Sequence, residues 1–181
     1  MGGEVLIGQF VRLRAVEPGD VDVLYTWEND SSVWQVSNTL TPFSRFQVEE
    51  YVLNSQQDIF ASRQLRLMIV PVESAMQEQP VGTIDLFDFD PVHRRAGVGI
   101  LIRGPYREKG YAQDAMEILI RYSFGTLRLH QLYCNISPDN TPSLHLFGKL
   151  GFEQCGVKKE WFSDGLSWKD EWMFQLISHG R

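Results

Sequence analysis

Arg103-Gly104-Pro105-Tyr106-Arg107-Glu108-Lys109-Gly110-Tyr111-Ala112 joins two segments of different periodicity, and its reading decides the fold. Before it, Ala96-Gly97-Val98-Gly99-Ile100-Leu101-Ile102 is a short apolar run, β-branched and bounded by turn residues, which predicts a buried strand. After it, Ala112, Ala115, Leu119 and Tyr122 recur at helical spacing, and Met116 and Phe124 widen the stripe. The segment 107–112 is therefore a strand-to-helix turn. A helix start carries unpaired N–H groups and about half a positive charge, which suits an anion. Arg107 and Lys109 add charge, while Gly110 and Ala112 leave room for a phosphate to approach the backbone. These residue types fit a pyrophosphate, but many such turns bind nothing, so the context has to decide.

Two common phosphate loops do not fit. A Walker loop needs Gly-Lys followed by Ser or Thr, whereas Gly110 is followed by Tyr111. The pair Gly97-x-Gly99 lacks a third glycine, Ile102 standing in its place, and lies inside the strand rather than after it. What remains, Arg107-Glu108-Lys109-Gly110-Tyr111-Ala112, resembles the acetyl-CoA pyrophosphate loop of the GCN5-related N-acetyltransferases, the GNAT family. A second run, Asn140-Thr141-Pro142-Ser143-Leu144-His145-Leu146-Phe147-Gly148-Lys149-Leu150-Gly151-Phe152, is similar to that family's Asn-x-x-Ser…Lys-Leu-Gly-Phe segment. One helix and one strand separate the two, as the family requires. The resemblance spans nearly the whole chain and is nearest the branch of spermidine and ribosomal-protein N-terminal acetyltransferases; Val92-His93-Arg94-Arg95-Ala96 also looks like that branch.

The resemblance implies an α/β (α+β) fold: a mixed, mostly antiparallel seven-stranded sheet with about four helices. Strands 4 and 5 would splay in a V that admits the pantetheine arm, and Gly97 and Gly99 suit such a close approach or, alternatively, a simple bulge. It further implies cofactor contacts from Ile100, Leu101 and Ile102 to pantetheine and from 107–112 to the pyrophosphate. Asn140, Ser143, Phe147 and Lys149 would supply the rest. Acetyl-CoA is then a co-substrate, and a homodimer or larger homo-oligomer is expected.

Composition agrees with a single domain over 1–181, long enough for a continuous core. With 43% hydrophobic and 22% charged residues the chain reads as globular, neither disordered nor membrane-spanning. Without an export signal or a spanning segment, the expected compartment is the cytoplasm. Gly2 does not open a myristoylation motif, because Leu6 stands where Ser or Thr is needed. Cys134 and Cys155 are expected to be reduced and buried rather than bridged. A net charge of −6 argues against nucleic acid as the main partner and leans towards a cationic substrate, although mild acidity also serves solubility alone.

Along the chain, 10–16 alternates as a half-exposed strand, and Asp20 is placed to cap a helix carrying Val21, Val23, Leu24 and Trp27. Residues 29–44 read as a loop containing a helical turn, and 45–56 as a helix with Phe46, Val48, Tyr51 and Val52 inward. Strands follow at 64–72 and 80–89, joined by a polar connection over 74–79. In the second, Val81, Thr83, Asp85 and Phe87 share one face. After the long helix comes a strand at 132–137, then a helix starting at Pro142 with Thr141 as cap, closed by Lys149, Gly151 and Phe152. A final hairpin pairs 153–162 with 167–177 about Asp164-Gly165.

Acetyl transfer from a thioester to an amine needs few parts. An alkyl amine has a pKa of about 10.4, so a group must take its proton. Asp85 stands where relatives carry Glu and is the candidate base; the competing reading makes it an edge-exposed acid or pairs it with Arg94 or Arg95. Backbone N–H groups of Leu101 or Ile102 would meet the oxyanion. Relatives place a tyrosine three residues before Leu-Gly-Phe to protonate the thiolate; here that residue is Phe147. Water or another group then does so, or the enzyme is slow, or the chain is a non-catalytic acyl-CoA-binding module. The four histidines have no metal spacing, His145 is expected to be exposed, and no metal is implied. The acceptor is a small amine or polyamine, with Glu28, Asp30, Glu49 and Glu50 as attractors, or a protein N-terminus. Polyamine-acetylating relatives are more acidic where this chain has Val36-Ser37-Asn38-Thr39-Leu40-Thr41.

Overall fold

The computed structural model describes residues 5–34, 39–55, 57–73 and 79–179. Seven strands form one sheet in the order β1-β2-β3-β4-β5-β7-β6. They are β1 Val11–Ala15, β2 Leu65–Pro71, β3 Gly82–Asp90, β4 Arg95–Ile102, β5 Gln131–Ile136, β6 Glu153–Ser163 and β7 Trp168–Ile177. Every neighbouring pair is antiparallel except β4 and β5. Among the described residues the α-helices are α1 Val21–Glu28, α2 Arg45–Asn54, the one-turn α3 Ile59–Ser62, α4 Tyr111–Gly125 and α5 Thr141–Lys149. This is the mixed seven-stranded architecture expected from the sequence, with α3 as an unforeseen extra turn.

Helices cover both faces of the sheet. α4 lays Ala115, Met116, Ile118 and Leu119 on Leu67, Ile69, Ile84, Leu86 and Val98, and α5 adds Phe147. On the opposite face Leu24 of α1 and Val48 and Val52 of α2 pack on Met68 and Val70. Four consecutive β2 residues, Leu67 to Val70, are therefore buried: a strand sandwiched between helices reads as an apolar run rather than an alternation. The closing hairpin follows the expected course, with Asp164 accepting the N–H groups of Leu166 and Ser167 and Gly165 at φ +88°.

Several local expectations are corrected. Asp20 does not cap α1; it ends a 3-10 turn and takes two hydrogen bonds from Arg14, at 2.7 and 2.8 Å. Phe46 is 64% exposed, because α2 turns only Val48 and Val52 fully inward. The cap of α5 is Asn140, whose Oδ1 accepts the Ser143 N–H, so the helix starts at Thr141. Cys155 is exposed, while Cys134 is buried, its thiol pushed up to about 12 by burial and secondarily by Cys155. The expected polar connection over 74–79 and the segment 36–38 lie mostly outside the described residues.

Candidate active site

β4 pairs with β3 along its length, out to Gly82↔Ile102, but with β5 only through Arg95↔Gln131, Ala96↔Leu132 and Gly97↔Tyr133. From Val98 onward its β5 side has no strand partner, which is the predicted V. The main chain alternates sides along a strand. Arg103 N–H donates to Val81 O (2.9 Å) and Arg94 O accepts from His130 N–H (2.6 Å), so odd residues of β4 turn to β3 and even ones to β5. Ile100 and Ile102 thus direct their N–H and C=O groups into the gap. Leu101 is turned the other way, its carbonyl against Gly82, where a Cβ would lie 2.1 Å from it. Of the two expected oxyanion donors, Ile102 is the one so placed, and Leu101 lines the face with its side chain only.

A 3-10 turn, Gly104–Tyr106, leads from β4 to the basic loop. Gly110 precedes α4 at φ +79°, a backbone conformation that favours glycine. Asp114 N–H makes the first intrahelical bond, to Gly110 O (3.1 Å), so the amides of Tyr111, Ala112 and Gln113 lack an acceptor within the helix. Arg107 Nε donates to Ile102 O (3.1 Å) and ties the loop to the gap, while Lys109 Nζ lies 5.5 Å from the Tyr106 ring centroid. Arg107, Glu108, Lys109 and Gly110 are all exposed. Lys149, at the end of α5, reaches Gln113 Oε1 (2.7 Å) and so stands beside the same helix start.

Asp114 escaped the sequence reading. Its buried carboxylate accepts the N–H groups of Gln9 (3.1 Å), Phe10 (2.7 Å) and Val11 (2.8 Å), mooring the entry to β1 on the first turn of α4. Nothing local marks it, since an acid in a helix's first turn is ordinarily a surface residue.

On the α1 side of the sheet, Arg66, Asp85 and Gly99 stand in one row across β2, β3 and β4. Asp85 is paired with Arg66 (Nε to Oδ1, 2.6 Å), not with Arg94 or Arg95, and Arg66 Nη1 also donates to Glu28 (2.6 Å) above the Tyr51 ring. Burial holds the Asp85 carboxyl above its ordinary range although Arg66 opposes it. Asp30, at the end of α1, grips Arg103, which lies over Trp27. Bonds from Ser32, then from Arg103, lower the Asp30 carboxyl to about 2. A cleft of about 830 Å³ opens beside them, lined in part by Trp27, Arg103, Pro105 and Tyr106. Glu49 lies away from this group, bonded to Arg45.

The close neighbour of Gly97 is protein: a Cβ there would lie 2.2 Å from Phe87 Cε2. Gly99 is less crowded: a Cβ there would make one ordinary contact, 3.8 Å from Phe87 Cε1. Phe87 meets Tyr133 edge to face, and the Tyr133 hydroxyl donates to Asp88 (3.1 Å). Burial, then the Asp88 bond, pushes that phenol up to about 12. Phe147 is only 3% exposed and packs edge to face on Phe152, so it serves the core and offers a cofactor no more than a ring edge. Asn140 and Ser143 hold the start of α5 through their mutual bond, and His145 is exposed, as expected.

Residues 11–153 match the family model described as Acetyltransferase (GNAT) domain. The chain belongs to the GNAT acetyltransferase family. The spermidine N(1)-acetyltransferase of Vibrio cholerae is 28% identical over 84% of this chain and 85% of its own length, and that of Escherichia coli K12 is 29% identical over 86% and 80%. An uncharacterized N-acetyltransferase, p20 of Bacillus licheniformis, is 27% identical over 96% of both chains. Among solved structures, a V. cholerae spermidine N-acetyltransferase in complex with CoA and spermine superposes with a TM-score of 0.81 at 24% identity, covering 92% of this chain and 95% of its own, a likeness of fold.

As a GNAT protein this is an N-acetyltransferase with acetyl-CoA as co-substrate, and its residues fit that molecule on structural grounds. The gap offers main-chain groups without a strand partner to an amide-bearing arm, and the exposed helix start offers amides and cations to a diphosphate. Among the described residues no cluster of metal-ligating side chains occurs. No helix of these residues is long and apolar enough to cross a membrane.

Proposed function

We propose that this GNAT enzyme acetylates a primary amine of a small, polyamine-like acceptor by direct attack in a ternary complex. The observation that carries the reading is the open β4 edge at Ile100 and Ile102, with the α4 helix start behind it and the Asp85 row in front. The amine sits over Gly99, where no side chain fills the space. Asp85, through water, accepts its proton, and the freed lone pair forms the C–N bond to the thioester carbonyl. Ile102 N–H faces the oxygen as its negative charge develops. The C–S bond then breaks, the new amide nitrogen gives up its second proton to water, and water delivers a proton to the departing thiolate because Phe147 carries no hydroxyl.

Charge supports a cationic acceptor. In the ion-pair groups around Arg66 and Arg103, three carboxylates, Glu28, Asp30 and Asp85, stand against two guanidiniums, which leaves one negative charge there. Two of the relatives named above are spermidine N(1)-acetyltransferases, which favours a polyamine over a protein N-terminus. We carry forward a homo-oligomeric assembly as well, one V. cholerae relative being dodecameric.

Titration with acetyl-CoA followed by thiol-release assays on spermidine, an aminoglycoside and short peptides tests the reading. Turnover on spermidine above the others is expected. Turnover on peptides alone would move the acceptor to a protein N-terminus, and tight cofactor binding with no turnover would leave a binding module.

A further inference from the structure

β5 sends Leu132, Cys134 and Ile136 into the core beneath α4, so Gln131, Tyr133 and Asn135 face the acceptor side. Tyr133 is the last β5 residue paired with β4, through Gly97. Asn135, two residues further on, therefore stands where the strands have parted, in register with Gly99 across the gap. Its Oδ1 is buried and has no hydrogen-bond partner. An acceptor withdrawn from water without a donor is costly, and in native proteins it calls for an explanation. The other polar side chains of this part of β5 are already engaged: Tyr133 donates to Asp88, and the Ser137 hydroxyl accepts from Asp139 N–H. The β7 partner of Asn135, Met173, carries no side-chain donor.

We propose that Asn135 is a coenzyme A ligand, its side-chain amide hydrogen-bonding an amide of the pantetheine arm inside the β4–β5 gap. An arm lying along β4 can satisfy one of its edges on the main chain of Ile100 and Ile102. Its other edge faces β5, which has moved out of pairing distance there, so a side chain must bridge the difference. Asn135 is the residue of β5 with an uncommitted amide at that place. With the gap empty Oδ1 is already covered, so the side chain reaches the arm by turning about χ1 or χ2 at the edge of the gap. A half-turn about χ2 presents the NH₂ end instead, and the pantetheine amides carry a matching carbonyl. The inference rests on coenzyme A as co-substrate and is independent of which amine is acetylated.

Calorimetric titrations of the wild type and Asn135→Leu with coenzyme A and with adenosine 3′,5′-bisphosphate test it. The second probe keeps the nucleotide phosphates and lacks the arm. Asn135→Leu should weaken coenzyme A about tenfold (about 1.4 kcal/mol) and leave the bisphosphate within about twofold. The unliganded variant should melt at the wild-type temperature or above it, since an unpartnered polar group has been removed. Coenzyme A affinity within about twofold of wild type would overturn the assignment, and so would an equal loss on both probes or a clear fall in melting temperature. Should the leucine variant not fold, Asn135→Ala gives the same two-probe comparison. Failure of the wild type to bind coenzyme A would sink the cofactor reading itself, a result distinct from wild-type binding that Asn135→Leu leaves unchanged.

Discussion

Asp114→Ala should both destabilise the protein and weaken the cofactor site, and the structure sets the size of the effect. One carboxylate accepts three main-chain N–H groups, from Gln9, Phe10 and Val11. A hydrogen bond to a charged group contributes about 1.5–3 kcal/mol, and a buried donor left unpaired costs about 1–3 kcal/mol. Gln9 and Phe10 are exposed and recover water, whereas Val11 is fully buried and does not. The sum is therefore nearer to one full bond and two partial ones, about 3–4 kcal/mol. For a chain of 181 residues each kcal/mol moves the melting temperature by roughly 2–4 °C, so a fall of about 10 °C is expected. Because Asp114 lies in the first turn of α4, coenzyme A should bind more weakly to the variant even well below its melting temperature. Asp114→Asn keeps one acceptor oxygen and should fall between the two. Thermal unfolding and titration of both variants are sufficient. A melting temperature within about 2 °C of wild type for Asp114→Ala would show that the edge of β1 is held by something else.

Gly110→Glu forces a side chain onto φ +79°, costing roughly 1–2 kcal/mol of stability, and points a carboxylate at the anion site; coenzyme A affinity should drop more than about tenfold while the fold persists, and unchanged affinity would refute the loop assignment. Arg66→Gln removes the cation that opposes the burial of Asp85 and leaves the repulsion from Glu28. The carboxyl then holds its proton to higher pH, and since a base works only when unprotonated, the acidic limb of kcat/KM should move up in pH; an unmoved limb would remove Asp85 as the base. Phe147→Tyr should keep or raise kcat, because it restores a hydroxyl three residues before Leu150-Gly151-Phe152. A tenfold loss would mean that the hydroxyl has no room there.

What could be read beforehand was whatever is local in the chain. The β4 run, the turn at Gly110 and the apolar stripe of α4 each lie within about fifteen residues, and period alone identifies them. Pairings across the sheet were out of reach. Asp85 meets Arg66 only because β2 and β3 pair in one particular register, which the sequence between them does not announce. Alternation also fails at a bulge. Val81 N–H donates to Ile69 O although Ile69 is paired with Gly82, so two residues oppose one and Val81 joins the α4 core rather than the face of Asp85. Asp85 therefore has a guanidinium and a second carboxylate beside it, with Val81 turned away. The need for glycine at position 97 comes from Phe87, ten residues earlier and one strand away.

The β4 register explains why these features belong together. Side chains of Val98 and Ile102 go to the core, Gly99 and the Leu101 side chain face the acceptor side, and the main chain of Ile100 and Ile102 faces the gap. One strand thus separates packing, acceptor and cofactor into three directions. A slip of one residue would exchange all three, placing Leu101 in the core and its carbonyl in the gap. The strand is pinned at both ends against that slip. At one end Phe87 closes over Gly97, leaving no space for the Val98 side chain that a slip would bring there. At the other, Arg103 N–H holds Val81 and its guanidinium holds Asp30 and covers Trp27, so a slip would strand a largely buried charge. On the mechanism proposed above, the Arg103–Asp30 pair therefore acts on the reaction at a distance, by fixing which amide of β4 faces the thioester.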